Sequence, residues 1–284
     1  LLRPNDTMLS VSGKPYDTLD NVIGLGDSNK NGEGSLMEYG VNYKQIDLVD
    51  GNTLNLPEIE KTLADDKTIK VVFVQRSKGY GDRRTLTVAE INELFDLVRK
   101  FEGVYMVVDN CYGEFCEETE PKGDLLVGSL IKNAGGGIAE TGGYIAGRHD
   151  LVEMCGHRLT APGTGREIGC SLDVMREMYL GVYFAPMITA NALKTSIYAS
   201  CLYEKMGFET EPRYFEDRND IITSICAENA ENVIAICRGI QAGSPIDSYA
   251  APEPGDMPGY DSQIIMAAGA FTMGSSIELS ADAG

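Results

Sequence analysis

The stretch DLLVGSLIKNAGGG, residues 124–137, sets a single lysine between an apolar run and a string of glycines. Leu125, Leu126 and Val127, followed by Leu130 and Ile131, read as a buried strand. Lys132 comes next, and lysine is strongly hydrated and seldom fully buried without a partner. Two readings stand at this point: a solvated strand end, and a lysine kept for amine chemistry.

Working outward, short apolar runs alternate with amphipathic segments. Residues 8–11, 43–48, 71–74, 104–108 and 143–146 are strand-like; residues 57–64 are helical, and a short helix begins at residues 16–18. Thr87 caps a helix that runs to Lys100, with Val88, Ile91, Leu94, Phe95 and Val98 on one face. Strands alternating with helices predict an α/β fold, a mainly parallel sheet covered on both faces. A long helix is expected over residues 169–206, broken near Pro186. A smaller α/β piece follows, with strands at 220–225, 264–268 and 276–279, and a strand or short helix at 230–236. The expected organisation is a large domain over residues 1–175, a linking helix over 176–206 and a small domain over 207–284.

Composition narrows the function. The 284 residues include 43% hydrophobic ones, enough for a sizeable core, and carry a formal charge of −19. That charge argues against nucleic-acid and anionic-membrane partners, which need clustered Lys and Arg. Seven unpaired-looking cysteines fit free thiols in a reducing cytoplasm, and two histidines, His149 and His157, are too few for a multi-histidine metal site. No apolar stretch reaches membrane-span length, and no metal site is expected. The glycine-rich piece at residues 24–29 lacks the third glycine of a dinucleotide fingerprint and reads as a turn. Both termini read as cut, so the chain is expected to be a piece of a longer protein.

In parallel α/β sheets ligands sit at the carboxyl ends of the strands. Three ends carry polar residues that packing does not require: Gln75-Arg76-Ser77, Asp109-Asn110-Cys111-Tyr112, and Lys132. Asp109 alone fits a cap or turn as well as a site. An acid and a lysine on successive strand ends are a stronger signal, because both would face one crevice.

DNCYGEF at 109–115 and SLIKN at 129–133 resemble the core of fold-type-I pyridoxal-phosphate enzymes. The chain as a whole is similar to one branch, the methionine gamma-lyase or cystathionine beta-lyase-like family tied to aluminium resistance. GKPYDTL, QRSKGY, VDNCYGEF, GSLIKNAGGG, TGGYIAGR, RLTAPGTG, PEPGDMPGY and SIELSAD carry that likeness over nearly the full length. The resemblance implies pyridoxal 5'-phosphate as cofactor and Lys132 as its Schiff-base partner and base at the substrate Cα. It implies Asp109 at the pyridinium nitrogen, Ser129 at the phosphate, Tyr112 at the phenolic oxygen and Cys111 packed under the ring. Cys111 reads equally as an inert buried thiol. Arg76, Ser77 and Tyr260 are substrate-pocket candidates, with solvated loop charge as the plain alternative for the first two. The glycines at 135–137 and 142–143 would admit backbone close to the cofactor, and tight turns explain them equally well.

The implied activity is carbon–sulfur bond cleavage in a sulfur amino acid by β- or γ-elimination. Transamination and a cofactor-binding, non-catalytic role remain open beside it. The resemblance implies a homodimer or homotetramer, with Leu159, Met175, Tyr179 and Tyr183 as candidates for the covered surface. It places the family's phosphate-binding loop and a tyrosine-rich segment upstream of residue 1, and its substrate-carboxylate arginine beyond residue 284.

Overall fold

The computed structural model describes residues 1–25, 34–159, 163–167, 172–257, 260, 262–269 and 280–283. Most of the glycine-rich turn at 24–29, the expected strand at 276–279 and parts of the 158–165 and 257–260 loops lie outside these. The chain divides into two compact units. The first comprises Leu1–Asn110, Thr119–Gly128 and Tyr144–Ser171; the second comprises Cys111–Glu118, Ser129–Gly143 and Leu172–Gly284.

The first unit is built on a six-stranded sheet of order β2-β1-β3-β4-β5-β6. Its strands are β1 (Thr7–Ser10), β2 (Asn42–Gln45), β3 (Ile69–Gln75), β4 (Tyr105–Asp109), β5 (Leu125–Ser129) and β6 (Gly143–Gly147). The pairs β1/β2, β1/β3, β3/β4 and β4/β5 are parallel. The sixth strand returns against the fifth: Arg148 N–H donates to the Asp124 carbonyl and Leu130 N–H to that of Gly142. Four helices join the strands or follow them: α1 (Thr18–Ile23), α2 (Leu56–Asp65), α3 (Val88–Val98) and α4 (His149–Leu159). The last of these was not foreseen.

The sequence IKVVFVQ of β3 is apolar at nearly every position because both of its faces are buried. Leu9, Val72, Val74, Ile91, Leu94, Met106 and Val108 are wholly buried in one cluster. Each contributes about 1.5–3 kcal/mol of apolar burial. Helix α3 starts where expected. The Thr87 side chain accepts from Glu90 N–H and the Glu90 carboxylate from Thr87 N–H, a reciprocal cap.

In the second unit α5 (Met175–Lys205) is a single 31-residue helix with Pro186 inside it. The expected break at Pro186 does not occur. Pro186 is on the exposed side, while Gly181, Ala185, Thr189, Ser196 and Ser200 form a buried stripe that continues past it. One backbone bond lost toward solvent does not end a helix anchored along its other face. The hairpin of β7 (Glu209–Glu211) and β8 (Ser224–Cys226) is shorter than the strand expected at 220–225. It is tied to α5 by half-buried Arg218, which donates to Ser196 Oγ at 2.7 Å, Ser200 Oγ at 2.7 Å and Thr223 Oγ1 at 2.9 Å. The ambiguous segment at 230–236 belongs to α6 (Ala230–Gly243), whose first turn is capped by Asn229. The antiparallel pair β9 (Ile265–Ala268) and β10 (Ser280–Ala283) packs on it. Among the described residues no helix is long and apolar enough to cross a membrane.

Candidate active site

In the first unit the polar strand ends form one bonded group. Gln75 and Asp109 are register partners at the carboxyl ends of β3 and β4. Arg76 follows Gln75 and is fully buried; its backbone N–H donates to the Asp109 carbonyl at 3.0 Å. Its guanidinium donates to Asn110 Oδ1 at 2.8 Å and lies 3.6 Å from the Glu120 carboxylate. Asn110 is buried as well and donates from Nδ2 to Glu120 at 2.7 Å. Ser77 is also buried, with its carbonyl accepting from Gln75 Nε2 at 3.0 Å and from the Arg83 guanidinium at 2.6 Å. Burial overturns the solvated-loop alternative for Arg76 and Ser77. An arginine out of water needs charge-assisted partners, and Asn110 and Glu120 supply them.

Arg83 also reaches the Gln75 carbonyl at 3.0 Å and the Arg76 carbonyl at 3.3 Å, closing the loop back on the end of β3. Sequence reading passed over Arg83, Asn110 and Glu120. The doubled arginine in DRR was the available signal for the first, and Asn110 stands inside the DNCY motif itself.

The second unit holds the lysine. Beyond β5 the Ser129 hydroxyl accepts from Ile131 N–H at 3.3 Å and the Ser129 carbonyl from Lys132 N–H at 3.4 Å. Lys132 is extended and precedes a 3-10 turn, Asn133–Gly135. Its Nζ lies 4.3 Å from the centroid of the Tyr112 ring, so the half-buried ammonium rests on an aromatic face. Tyr112 takes the left-handed conformation, φ 69°. Its carbonyl accepts from Asn133 Nδ2 at 2.9 Å and from Ile221 N–H at 3.3 Å. Asn133 is fully buried and donates also to the Glu114 carbonyl at 3.1 Å. Cys111 is half-buried, and Tyr260 donates its N–H to the Met257 carbonyl at 3.3 Å.

Turn geometry accounts for Gly136 and Gly137, at φ 58° and 68°, and a further reason stands beside it. A Cβ on Gly136, which has φ 58°, would meet the Gly181 carbonyl oxygen at 2.5 Å. One on Gly181 would meet the Gly135 carbonyl oxygen at 2.2 Å. The turn bearing Lys132 is thus seated backbone to backbone on α5.

Residues 1–284 match the family model described as Methionine gamma-lyase. The carbon-sulfur lyase involved in aluminum resistance from Clostridium novyi NT is 51% identical, with a TM-score of 0.90 over 99% of this chain and 66% of that one. A Clostridium acetobutylicum protein, provisionally named a cystathionine beta-lyase involved in aluminum resistance, is 47% identical with a TM-score of 0.91, covering 99% and 66%. YnbB of Bacillus subtilis (strain 168), an uncharacterized protein, is 43% identical over 99% of this chain and 67% of its own length. The chain spans about two thirds of the length of these relatives. A PLP-dependent aminotransferase from Streptococcus suis 89-1591 shares the fold alone, at 14% identity and a TM-score of 0.53 over 84% of this chain and 61% of that one.

Proposed function

We propose, from the premise that the chain belongs to the methionine gamma-lyase family, that it works as a pyridoxal-phosphate-dependent carbon–sulfur lyase on a sulfur amino acid. The name of the Clostridium novyi relative supports the reaction class. The observation that carries the reading is the placement of Lys132, whose amine rests on the Tyr112 ring at 4.3 Å, on a turn wedged against α5. A lysine left over at a strand end would extend into water instead.

The donor set fits the cofactor chemically. Lys132 offers an amine for an aldehyde, Asp109 a carboxylate for a pyridinium N–H, and Ser129 a hydroxyl for a phosphate. Bound pyridoxal phosphate would supply an electron sink for the carbanion at the substrate Cα. Lys132 would take the Cα proton and deliver it during loss of the sulfur group. Asp109 would keep the pyridinium proton in place. Arg76 would serve the site by holding Asn110, the residue that follows Asp109, while Ser77 and Tyr260 would border the substrate. Cys111 would remain a packing residue.

Assembly is part of the proposal. Tyr179 and Tyr183 on α5 are 71% and 78% exposed, with Met175 on the same face and Leu159 at the end of α4 also exposed. Apolar faces of this kind mark partner surfaces, and symmetric self-association is the commonest way to cover one.

The test is to incubate the full-length protein with pyridoxal phosphate, reduce with borohydride and map the adduct by mass spectrometry. The expected outcome is a single adduct at Lys132 in the reduced sample, and, from a parallel unreduced sample, 2-oxo acid and ammonia released from cystathionine, methionine or cysteine. An adduct elsewhere removes Lys132 from the reading. Amino-group transfer to an added 2-oxo acid, without thiol release, replaces elimination by transamination.

A further inference from the structure

The role of Tyr112 is open to a sharper reading, one that rests on Lys132 being the reacting amine. Three features of the second unit converge on it. Tyr112 has φ 69°, a conformation that bulky L residues rarely adopt, and Phe115 in the same loop has φ 63°. Something must impose that backbone, and buried Asn133 is bonded to it: Nδ2 donates to the carbonyls of Tyr112 at 2.9 Å and Glu114 at 3.1 Å. Asn133 Oδ1 is buried without a hydrogen-bond partner. The residue is therefore kept in the core for what its amide donates, because a buried acceptor left unmade is a cost.

The consequence follows from chain connectivity. Asn133 is adjacent to Lys132 and starts the turn seated on α5 through Gly135, Gly136 and Gly181. The same rigid turn thus sets the origin of the lysine side chain and, through one amide group, the backbone that aims the Tyr112 ring. The ring presents its face to Nζ at 4.3 Å, and the negative face of an aromatic attracts an ammonium. That attraction belongs to the π system and does not require a hydroxyl.

We infer that Asn133 is a positioning residue that acts through Tyr112, and that the ring of Tyr112, rather than its hydroxyl, orients the Lys132 amine. Lysine released during turnover returns to this face with Nζ in one place, which shortens the search for the proton it must move.

The experiment uses the full-length protein with 13C-labelled lysine ε-carbons. The Lys132 resonance is assigned by its loss in Lys132→Arg. Spectra are recorded without cofactor, so this arm is independent of whether the cofactor attaches. An aromatic ring beneath Nζ shifts the neighbouring methylene upfield. That shift is expected in the unmodified protein and in Tyr112→Phe, and is lost in Tyr112→Leu and Asn133→Ala. With cofactor bound, kcat is expected to fall about tenfold in Asn133→Ala with KM within about twofold; Tyr112→Phe is read by the ring shift alone, because its hydroxyl is assigned to the cofactor.

Loss of the ring shift in Tyr112→Phe would mean that the hydroxyl is what orients the amine, and the inference fails. Retention of both shift and kcat in Asn133→Ala removes the positioning role, whatever that variant does to the melting temperature. Should Asn133→Ala not fold, Asn133→Ser, which keeps one donor, is expected to fall between the two, and a wild-type spectrum from it overturns the claim. Failure of Lys132 to take up cofactor defeats the underlying reading instead. It is recognised by an intact ring shift with no adduct.

Discussion

Two loops at strand ends each carry a cation, and they treat it oppositely. After β3, Arg76 is fully buried, with Asn110 and Glu120 at its guanidinium and its own backbone tied into the sheet. After β5, Lys132 is only half-buried and its ammonium meets the face of Tyr112. A planar fork among directional acceptors is fixed in place, whereas an ammonium against an aromatic face is held there by a non-directional attraction. One cation is part of the frame, and the other sits against an aromatic face at half-exposure. The contrast implies that stability and activity respond to different residues.

The largest effect tests the half-exposed cation. Lys132→Ala is expected to remove the elimination activity by about a thousandfold or more, the scale of losing a positioned base and nucleophile. Its melting temperature should stay within a few degrees. Steady-state assays beside a thermal melt measure both. A variant that loses stability as heavily as activity would make Lys132 a structural residue and erase the contrast.

Arg76→Met is the converse. Methionine fills much of the volume but leaves Asn110 and Glu120 without the donor between them. Removing one member of a buried charged group costs several kcal/mol; with Glu120 partly exposed, about 3 kcal/mol is expected. Urea denaturation measures it. A loss under about 1 kcal/mol would show that the buried guanidinium is not a frame element.

A third pair of substitutions asks whether the seat of Lys132 is as rigid as its contacts imply. Gly181→Ala places a Cβ 2.2 Å from the Gly135 carbonyl oxygen, and neither backbone can yield. A destabilisation of about 2–3 kcal/mol is expected. Gly239→Ala in α6 meets nothing within 4 Å and should stabilise by about 0.5–1 kcal/mol through helix propensity. The same change on two helices should therefore move denaturation midpoints in opposite directions.

How legible these features were follows from which residues carry them. The sheet and α3 could be read because long aliphatics at strand or helix spacing have no plausible use outside a core, and Thr87 with Glu90 marks a helix start. Lys132 and Asp109 stood out because their types are costly at an apolar strand end, whereas Ser129 entered through the family resemblance alone. The continuous α5 was missed because its buried stripe is Gly181, Ala185, Thr189, Ser196 and Ser200, residues too small or too polar to register as a hydrophobic face. The glycines after Lys132 were ambiguous for the same reason: glycine marks a close approach without naming what approaches. Asn133 could be read as a structural residue at the start of the glycine run, but not its bonds to the Tyr112 and Glu114 carbonyls, because backbone acceptors are present in every sequence.

The smallest effect sets the scale for the others, because Asp66 carries a charged contact at the surface. It accepts from Lys44 Nζ at 2.6 Å, and from Thr68 Oγ1 at 2.6 Å and Thr68 N–H at 2.8 Å. These contacts, the Lys44 hydrogen bond foremost, hold its carboxyl at a pKa of about 2, below its ordinary 3.8. A folded-state value below the unfolded one means the carboxylate form favours folding. The contribution is full above pH 4, fades as pH falls from there through about 2, and is absent below. Solvent and salt screen an ion pair at this position, so Asp66→Asn is expected to lose less than about 1 kcal/mol at pH 7. The difference from the unmodified protein should shrink to nothing by pH 2, and at pH 7 it should narrow in high salt, since the Lys44 partner is half-exposed. Urea titrations of both proteins at pH 7 and pH 3, with and without 1 M NaCl, measure this. A loss at pH 7 as large as that of Arg76→Met would mean that burial does not separate the two contacts, and the fixed cation would need another explanation.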